Sequence, residues 1–254
     1  MPMPQVSESM DAPHHPLRGY YPREEERGLW IRELFDHTAI DYERIARLVG
    51  LGSGSWYRRQ ALRRGGLRPG MTILDVGVGT GLLTCEAARL VGDPSLVVGL
   101  DPSVGMIRTA RTPAGVKLTV GCAERIPAAP GAFDFVSMGY ALRYLGSISR
   151  AFAEIYRVLT PGGRICILEM GRPANKLARA AWSLYIKGVV PLLTRIIARE
   201  PETLRLVRYL WDTIDRSIAP GAGVIALERA GFADVRCEID LGIFVAYFAT
   251  KPVP

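Results

Sequence analysis

The chain has 254 residues, of which 48% are hydrophobic and 22% are charged, and this composition suits one well-cored α/β domain. Its net charge of +7 favours anionic partners, but charge alone argues for solubility rather than for a role. The cysteines form no CxxC pair and only three histidines are present, so we expect no metal site. The start of the chain resembles no signal peptide, and no window of about 18 residues is uninterruptedly apolar. These features predict a cytoplasmic protein without a membrane span.

Two helices are predicted before the main fold. Residues 1–22 are rich in Pro and Met and lack a hydrophobic period, which predicts a mobile tail. Apolar residues at spacings of three and four then predict helices in "LWIRELFDHTAIDYERIARLVG" and in "SGSWYRRQALRRG".

Strands and helices alternate through the middle of the chain. Strands are predicted in "MTILDVGVG", "SLVVGLD", "VKLTVG", "FDFVSM" and "RICILEMG", and the intervening helices include "GLLTCEAARLVG", closed by Gly92. Two helical runs between 174 and 217 interrupt the alternation, and a helix and two adjacent strands end the chain. A short turn between those two strands makes them antiparallel.

The predicted fold is therefore α/β and Rossmann-like: a doubly wound, mostly parallel seven-stranded sheet with an antiparallel terminal strand, plus N-terminal and inserted lid helices. After the tail we predict a single domain, 23–254. Its parts are the N-terminal cap helices 23–66, a cofactor-binding core 67–172, inserted helices 173–220, and a terminal helix and strand pair 221–254.

The strongest local motif is the glycine loop "LDVGVGTG". Gly77, Gly79 and Gly81 follow a strand and open a helix, so the backbone can approach a ligand closely. The dinucleotide fingerprint G-x-G-x-x-G would require glycine at position 82, where this chain has Leu82. The loop therefore argues against a nicotinamide or flavin cofactor, although tight turns also use glycine without any ligand.

Two acids accompany this loop. Asp101 ends the next strand, twenty positions after Gly81, where a carboxylate can accept hydrogen bonds from ribose hydroxyls. The alternative is that Asp101 caps the following helix. Asp75 brings negative charge towards the loop, which suits a cationic ligand such as S-adenosylmethionine better than a pyrophosphate.

Longer stretches strengthen this interpretation. They include "LFDHTAIDYERI", "ILDVGVGTG", "VVGLDPSVGMI", "GCAERIPAAPGAFDFVSMGYALRYL", "EIYRVLTPGGRICILEMGRP" and "VRYLWDTIDRSIAP". Over residues 34–251 the chain resembles the class I S-adenosylmethionine-dependent methyltransferases, and within them the ubiquinone/menaquinone-biosynthesis C-methyltransferase (UbiE/MenG-type) family.

The resemblance implies roles for particular residues. The three glycines would pass under the methionine part of the cofactor, Asp101 would bind the ribose, Met106 would lie beside the adenine, and Cys122 and Ala123 would meet the adenine edge. The full set of predicted cofactor-binding residues is Asp75, Gly77, Gly79, Gly81, Asp101, Pro102, Met106, Cys122, Ala123 and Met138.

The chain departs from the family pattern at several positions. Cys122 stands where the family usually has Asp, Tyr144 replaces an Asn, Ser53 replaces a His, and Glu43 replaces the Asp after Tyr42. Cysteine is a poor acceptor for the adenine amino group. These changes suggest a related acceptor that differs from the family's usual one.

Acceptor-side candidates follow the fourth strand. Arg143 offers a planar fork of donors that could stabilise the oxyanion of a hydroxylated ring, although it could also form a surface ion pair. Tyr140 and Tyr144 are four residues apart, so on a helix they would share a face and sandwich a flat substrate, unless they are core aromatics.

Three further candidates lie elsewhere. Tyr42 matches a family tyrosine and is predicted to bind substrate. His37 could act as a general base or have a structural role at a helix start. Glu169, at the end of the fifth strand, could bind substrate or cap a helix.

The segment from Asn175 to Arg199 mixes aromatic and aliphatic residues with Lys and Arg. Such a helix can lie on a membrane and collect a lipophilic substrate, at the inner face of the membrane for a cytoplasmic protein. A lid over the pocket and a homodimer surface remain alternatives. Pro191 is predicted to break the helix in two.

These observations together predict S-adenosylmethionine-dependent methyl transfer to a small quinol-like or phenolic acceptor, at carbon, with S-adenosylhomocysteine as the product. An O- or N-methyltransferase of specialised metabolism, a phospholipid N-methyltransferase, and a cofactor-binding protein without transfer activity remain alternatives. Nucleic-acid modification is disfavoured, because "SMGY" stands where a base methyltransferase would carry N/D-P-P-[FYW].

Overall fold

A computed structural model describes residues 11–14, 17, 19–49 and 54–254. Seven strands form one sheet in the order β3-β2-β1-β4-β5-β7-β6. The first five strands are parallel, and β7 runs antiparallel to both of its neighbours. The strands are β1 (Ile73–Val76), β2 (Val97–Asp101), β3 (Lys117–Val120), β4 (Phe133–Gly139), β5 (Leu159–Met170), β6 (Ala233–Asp240) and β7 (Phe244–Thr250). The predicted fold class is confirmed.

Nine helices lie in the described part of the chain: α1 (Arg27–Val49), α2 (Gly54–Arg64), α3 (Leu82–Val91), α4 (Val104–Thr109), α5 (Ile148–Val158), α6 (Lys176–Leu184), α7 (Val190–Ile197), α8 (Thr203–Arg216) and α9 (Pro220–Arg229). The central strand β1 reads "ILDV" and is buried at every position, as expected for a parallel strand covered on both faces. Separate hydrophobic clusters fill the two sides of the sheet, with residues of α5 and α9 in one and residues of α2 and α3 in the other.

The remaining helices build a third hydrophobic cluster. It joins residues of α1 and α6 to α8 with Met170 at the end of β5 and with Tyr140 just after β4. The cluster therefore lies at the carboxyl ends of the strands. The strand order changes direction between β1 and β4, and doubly wound sheets bind ligands at that point.

The described part of the predicted tail is packed rather than mobile. Leu17 and Tyr21 are each only 2% exposed. Asp11 accepts hydrogen bonds from the Ser147 hydroxyl at 2.7 Å and the Ser149 amide at 2.8 Å. The prediction of a mobile tail is wrong for these residues, because their few apolar side chains are anchored in the helical cluster. Residues 1–10 lie outside the described part of the chain.

The inserted helix is continuous from Lys176 to Ile197. A π-helical turn, Tyr185–Val189, joins α6 to α7, so the backbone hydrogen-bond pattern changes directly before Pro191. The helix is nevertheless continuous, so the predicted break at Pro191 is wrong. By length and composition alone this helix could cross a membrane, which the sequence pattern did not predict. One of its faces, however, packs into the protein through Trp182, Ile186 and Val190.

Candidate active site

A cavity of about 230 Å³, partly open to solvent, lies at the change of direction in the sheet. Residues after β1, β2 and β4 form its floor and residues of α1 form one wall.

The glycine loop lines this cavity through Gly77 and Gly79. Both have positive φ, +73° and +54°, so both occupy the left-handed region that glycine tolerates best. A Cβ on Gly77 would also come within 2.6 Å of the Ala141 side chain. Gly81, predicted to bind the cofactor, does not line the cavity; it precedes α3 with a φ of +91°. Glycine at position 81 therefore allows the turn that precedes α3.

Asp101 faces the cavity from the end of β2. Its carboxylate accepts hydrogen bonds from the amides of Gly79 at 2.8 Å and Ser103 at 2.9 Å. Burial raises its pKa to about 6, despite these two hydrogen bonds. The alternative role as helix cap is wrong, since Ser103 caps α4 by accepting from the Met106 amide. Asp101 instead joins the glycine loop to the cavity wall.

Asp75 does not line the cavity, although it was predicted to contact the cofactor. It is 1% exposed, and its two oxygens accept from the hydroxyls of Thr84 at 2.5 Å and Ser137 at 2.7 Å. Burial raises its pKa to about 6. Asp75 therefore stabilises the glycine loop from the side away from the cavity. It can act on a ligand in the cavity only through its charge.

The other predicted cofactor residues all line the cavity: Pro102, Met106, Cys122, Ala123 and Met138. Cys122 is exposed, with a free thiol. Gly121 and Glu124, beside the predicted pair, line it as well and were missed.

An aromatic wall closes the other side of the cavity. Tyr42, Tyr140 and Tyr144 all line it, and the ring of Phe35 meets Tyr42 and Tyr144 edge-on, with centroids 5.9 and 5.1 Å apart. The prediction that Tyr140 and Tyr144 share a helical face is wrong. Tyr140 has a φ of +61° and precedes a single 3₁₀ turn, Leu142–Tyr144. Both rings nevertheless reach one cavity, because this turn follows the end of β4.

Arg143 is 4% exposed and forms a buried ion pair with Glu169. Its Nε donates to the Tyr144 hydroxyl at 3.0 Å, and its carbonyl accepts from Arg27 at 3.1 Å. Glu169 also accepts from the backbone amides of Arg143 at 3.3 Å and Met170 at 2.8 Å. The pair therefore fastens the loop after β4 to the end of β5. Neither residue lines the first cavity, and the prediction that they bind substrate stays a prediction.

His37 lies in the middle of α1, is exposed and does not line the cavity. Its predicted catalytic role is wrong on geometry. The opposite face of α1 was missed: Gly28, Ile31 and Phe35 line the cavity together with Tyr42. Their spacings of three, four and seven residues mark one helical face, so the signal was present in the sequence.

A second, smaller cavity of about 60 Å³ shares Tyr42 and Tyr140 with the first. Its other lining residues are mainly apolar side chains of α1, α8, β5 and β7, namely Ile45, Ala46, Val49, Met170, Leu210, Ile214 and Phe244. Arg58 and Arg143 also line it. Arg58, in α2, was not predicted as a site residue.

Sequence comparison identifies the family of the chain. The model of the ubiE/COQ5 methyltransferase family matches residues 22–251. The chain belongs to this family. It is 32% identical to a demethylmenaquinone methyltransferase of Symbiobacterium thermophilum over 244 residues, which cover 92% of this chain and 97% of the relative. It is also 32% identical to a ubiquinone/menaquinone biosynthesis C-methyltransferase of Methylococcus capsulatus over 222 residues, 85% of this chain and 88% of the relative.

Solved structures support the same fold. A SAM-dependent methyltransferase from Thermotoga maritima superposes with a TM-score of 0.60 at 22% identity, covering 87% of this chain and 99% of that one. One from Aquifex aeolicus gives 0.57 at 18% identity, covering 82% and 97%. The protein is an S-adenosylmethionine-dependent methyltransferase with a class I, Rossmann-like fold.

Proposed function

We propose that this methyltransferase transfers a methyl group to a ring carbon of a quinol-like or phenolic acceptor. The observation that carries the proposal is the aromatic wall opposite the glycine loop and Asp101, formed by Phe35, Tyr42, Tyr140 and Tyr144. Flat rings pack well against such edge-on aromatics. The names of the curated relatives, which refer to demethylmenaquinone and to ubiquinone/menaquinone biosynthesis, support the same acceptor class.

The lining of the first cavity supports binding of S-adenosylmethionine there. We assign the ribose to Asp101, whose two oxygens each have a second lone pair beyond their backbone hydrogen bonds. Gly77 and Gly79 leave room for the methionine part, and Met106, Cys122 and Ala123 enclose the adenine. When bound, the cofactor supplies a methyl group activated by a sulfonium.

The acceptor ring needs electron density rather than covalent help from the protein. Ionisation of a ring hydroxyl makes the neighbouring carbons nucleophilic, and the protein holds one of them in line with the methyl group. Burial raises the pKa of Tyr42 to about 12, so its hydroxyl stays protonated and can donate a hydrogen bond to a ring oxygen. The Tyr42 hydroxyl therefore orients the acceptor.

Incubation with methyl-labelled S-adenosylmethionine and a panel of naphthoquinols, benzoquinols, phenols and amines tests this proposal. We expect labelled product from the quinols or phenols. Labelling of amines alone would favour the N-methyltransferase alternative, and binding of S-adenosylhomocysteine without any transfer would favour a non-catalytic protein.

We also propose that the protein is cytoplasmic and contacts the membrane through the outer face of α6 and α7. Leu177, Leu184, Leu192 and Ile196 are 59–80% exposed on this helix. Lys176, Lys187 and Arg195 lie on the same helix and are exposed as well. Exposed aliphatic side chains with basic neighbours match the pattern of interfacial helices that bind anionic lipids. Such a contact would give the protein access to a lipophilic acceptor.

Replacing Leu184 and Ile196 together by glutamate is expected to weaken binding to anionic vesicles at least tenfold, since burying each side chain contributes about 1.5–3 kcal/mol. Co-sedimentation with liposomes measures this change. Leu241→Glu is the matched control, because Leu241 is 83% exposed and belongs to the β6–β7 turn rather than to the helix. Absence of vesicle binding by the unaltered protein, or a helix-dependent dimer in ultracentrifugation, would contradict the membrane contact.

A further inference from the structure

Arg58 is a buried cation that the arrangement of the first cavity leaves unexplained. It is 9% exposed and lines the second cavity. Arg44, Arg59 and Arg143 each have a carboxylate within ion-pair distance. No carboxylate of a described residue lies within ion-pair distance of Arg58.

The surroundings of Arg58 are aromatic and apolar. Its guanidinium carbon lies 5.5 Å from the centre of the Tyr140 ring, within range of a cation–π contact. Its Nη1 occupies the space that a side chain at Gly54 would need, 2.5 Å from an ideal Cβ there. Tyr140 lines both cavities, so the guanidinium lies directly behind the aromatic wall.

The positive charge of Arg58 acts on titratable groups at and near the two cavities. Burial is the largest influence on the pKa values of Asp75 and Tyr140 and raises both, while the charge of Arg58 acts in the opposite direction. The remaining charged or titratable groups at the second cavity are Tyr42 and Arg143. Arg143 is already neutralised by Glu169. Among the described residues that line this cavity, Arg58 is therefore the one cation without a carboxylate within ion-pair distance.

We propose that Arg58 binds the ionised hydroxyl oxygen of the aromatic acceptor, whose ring enters the second cavity past Tyr42 and Tyr140. This inference rests on the proposed function and deepens it, since it names the group that holds the reactive form of the acceptor. The hydroxyl proton leaves to solvent water, and the anionic oxygen gains a planar, permanently charged donor. Keeping a buried cation unpaired costs stability, which the anionic ligand offsets on binding.

A binding experiment separates this inference from methyl transfer. 1-Naphthol changes its absorption spectrum when its hydroxyl ionises, and it can be titrated on the protein saturated with S-adenosylhomocysteine. An opposite charge within about 4–6 Å lowers a pKa by roughly 1–3 units, so we expect the bound naphthol to ionise at least one unit below free naphthol. Arg58→Met should abolish this shift, Arg58→Lys should retain part of it, and Gly54→Ala, which displaces the guanidinium, should reduce it.

The control is Arg63→Met, an exposed arginine on the same helix, which should leave the shift unchanged. Arg58→Met should also unfold at the same or a higher temperature than the unaltered protein, because it removes an unpaired buried charge. An unshifted naphthol pKa on the unaltered protein, an unchanged shift in Arg58→Met, or a lower melting temperature in that variant would each overturn the proposal. The labelled-quinol assay reports on the proposed function independently, because it can succeed when the naphthol titration fails.

Discussion

Replacing Arg143 by methionine is expected to lower the free energy of unfolding by about 3–5 kcal/mol, because it leaves the Glu169 carboxylate buried without its charge partner. The loop after β4 should loosen as well, and with it Tyr140 and Tyr144. We therefore expect a higher KM for the acceptor, with binding of S-adenosylhomocysteine nearly unchanged. Urea denaturation followed by circular dichroism measures the stability change.

Two further variants make this result specific. Arg143→Met combined with Glu169→Gln removes both charges and should recover at least half of the lost stability. Arg172→Met breaks an exposed pair with Asp215 and should cost no more than about 1 kcal/mol. A loss below about 1 kcal/mol for Arg143→Met would contradict a fastening role for the buried pair.

Asp101→Asn is expected to weaken binding of S-adenosylhomocysteine roughly 10- to 100-fold. A hydrogen bond to a charged group contributes about 1.5–3 kcal/mol, and an amide cannot accept from both Gly79 and Ser103 while serving the ribose. Isothermal titration calorimetry measures the dissociation constant. Asp93→Asn is the control, because Asp93 is an exposed acid that caps a turn outside the cavity.

Because the Asp101 carboxylate is proposed to bind the ribose, we expect cofactor binding to depend on pH. Burial raises the pKa of Asp101 to about 6, so at lower pH the free protein holds a proton that must leave before the ribose binds the carboxylate. Affinity should therefore rise as pH increases through about 6 and then level off. Asp101→Asn should flatten that part of the profile. A profile that is identical in the variant would assign the titration to another group.

The sequence predicted the sheet and most of the cofactor cavity because both depend on local patterns. Buried strands, glycine turns and an acid at the end of β2 are readable within a few residues of each other. Asp75 and Gly81 were misassigned for a related reason: the motif contains them, but which of its side chains face a ligand depends on packing behind the loop.

The acceptor side was harder to predict because its contacts are long-range. Arg143 and Glu169 are 26 positions apart, and no local pattern shows that they pair. Tyr140 takes a positive φ that a tyrosine rarely adopts, so the helical spacing was misleading. Arg58 lines its cavity because α2 packs beside Tyr140. The periodicity of the sequence predicts the helix but not the residue against which it packs.

Carbon methylation of a hydroxylated ring is most directly tested by carbon-13 NMR of the product formed from S-adenosylmethionine labelled in its methyl group. We expect one enriched signal in the range of aryl-methyl carbons, with the ring hydroxyls free and a quinol or phenol as acceptor. An enriched signal in the methoxy or N-methyl range, with none from an aryl-methyl carbon, would contradict carbon methylation.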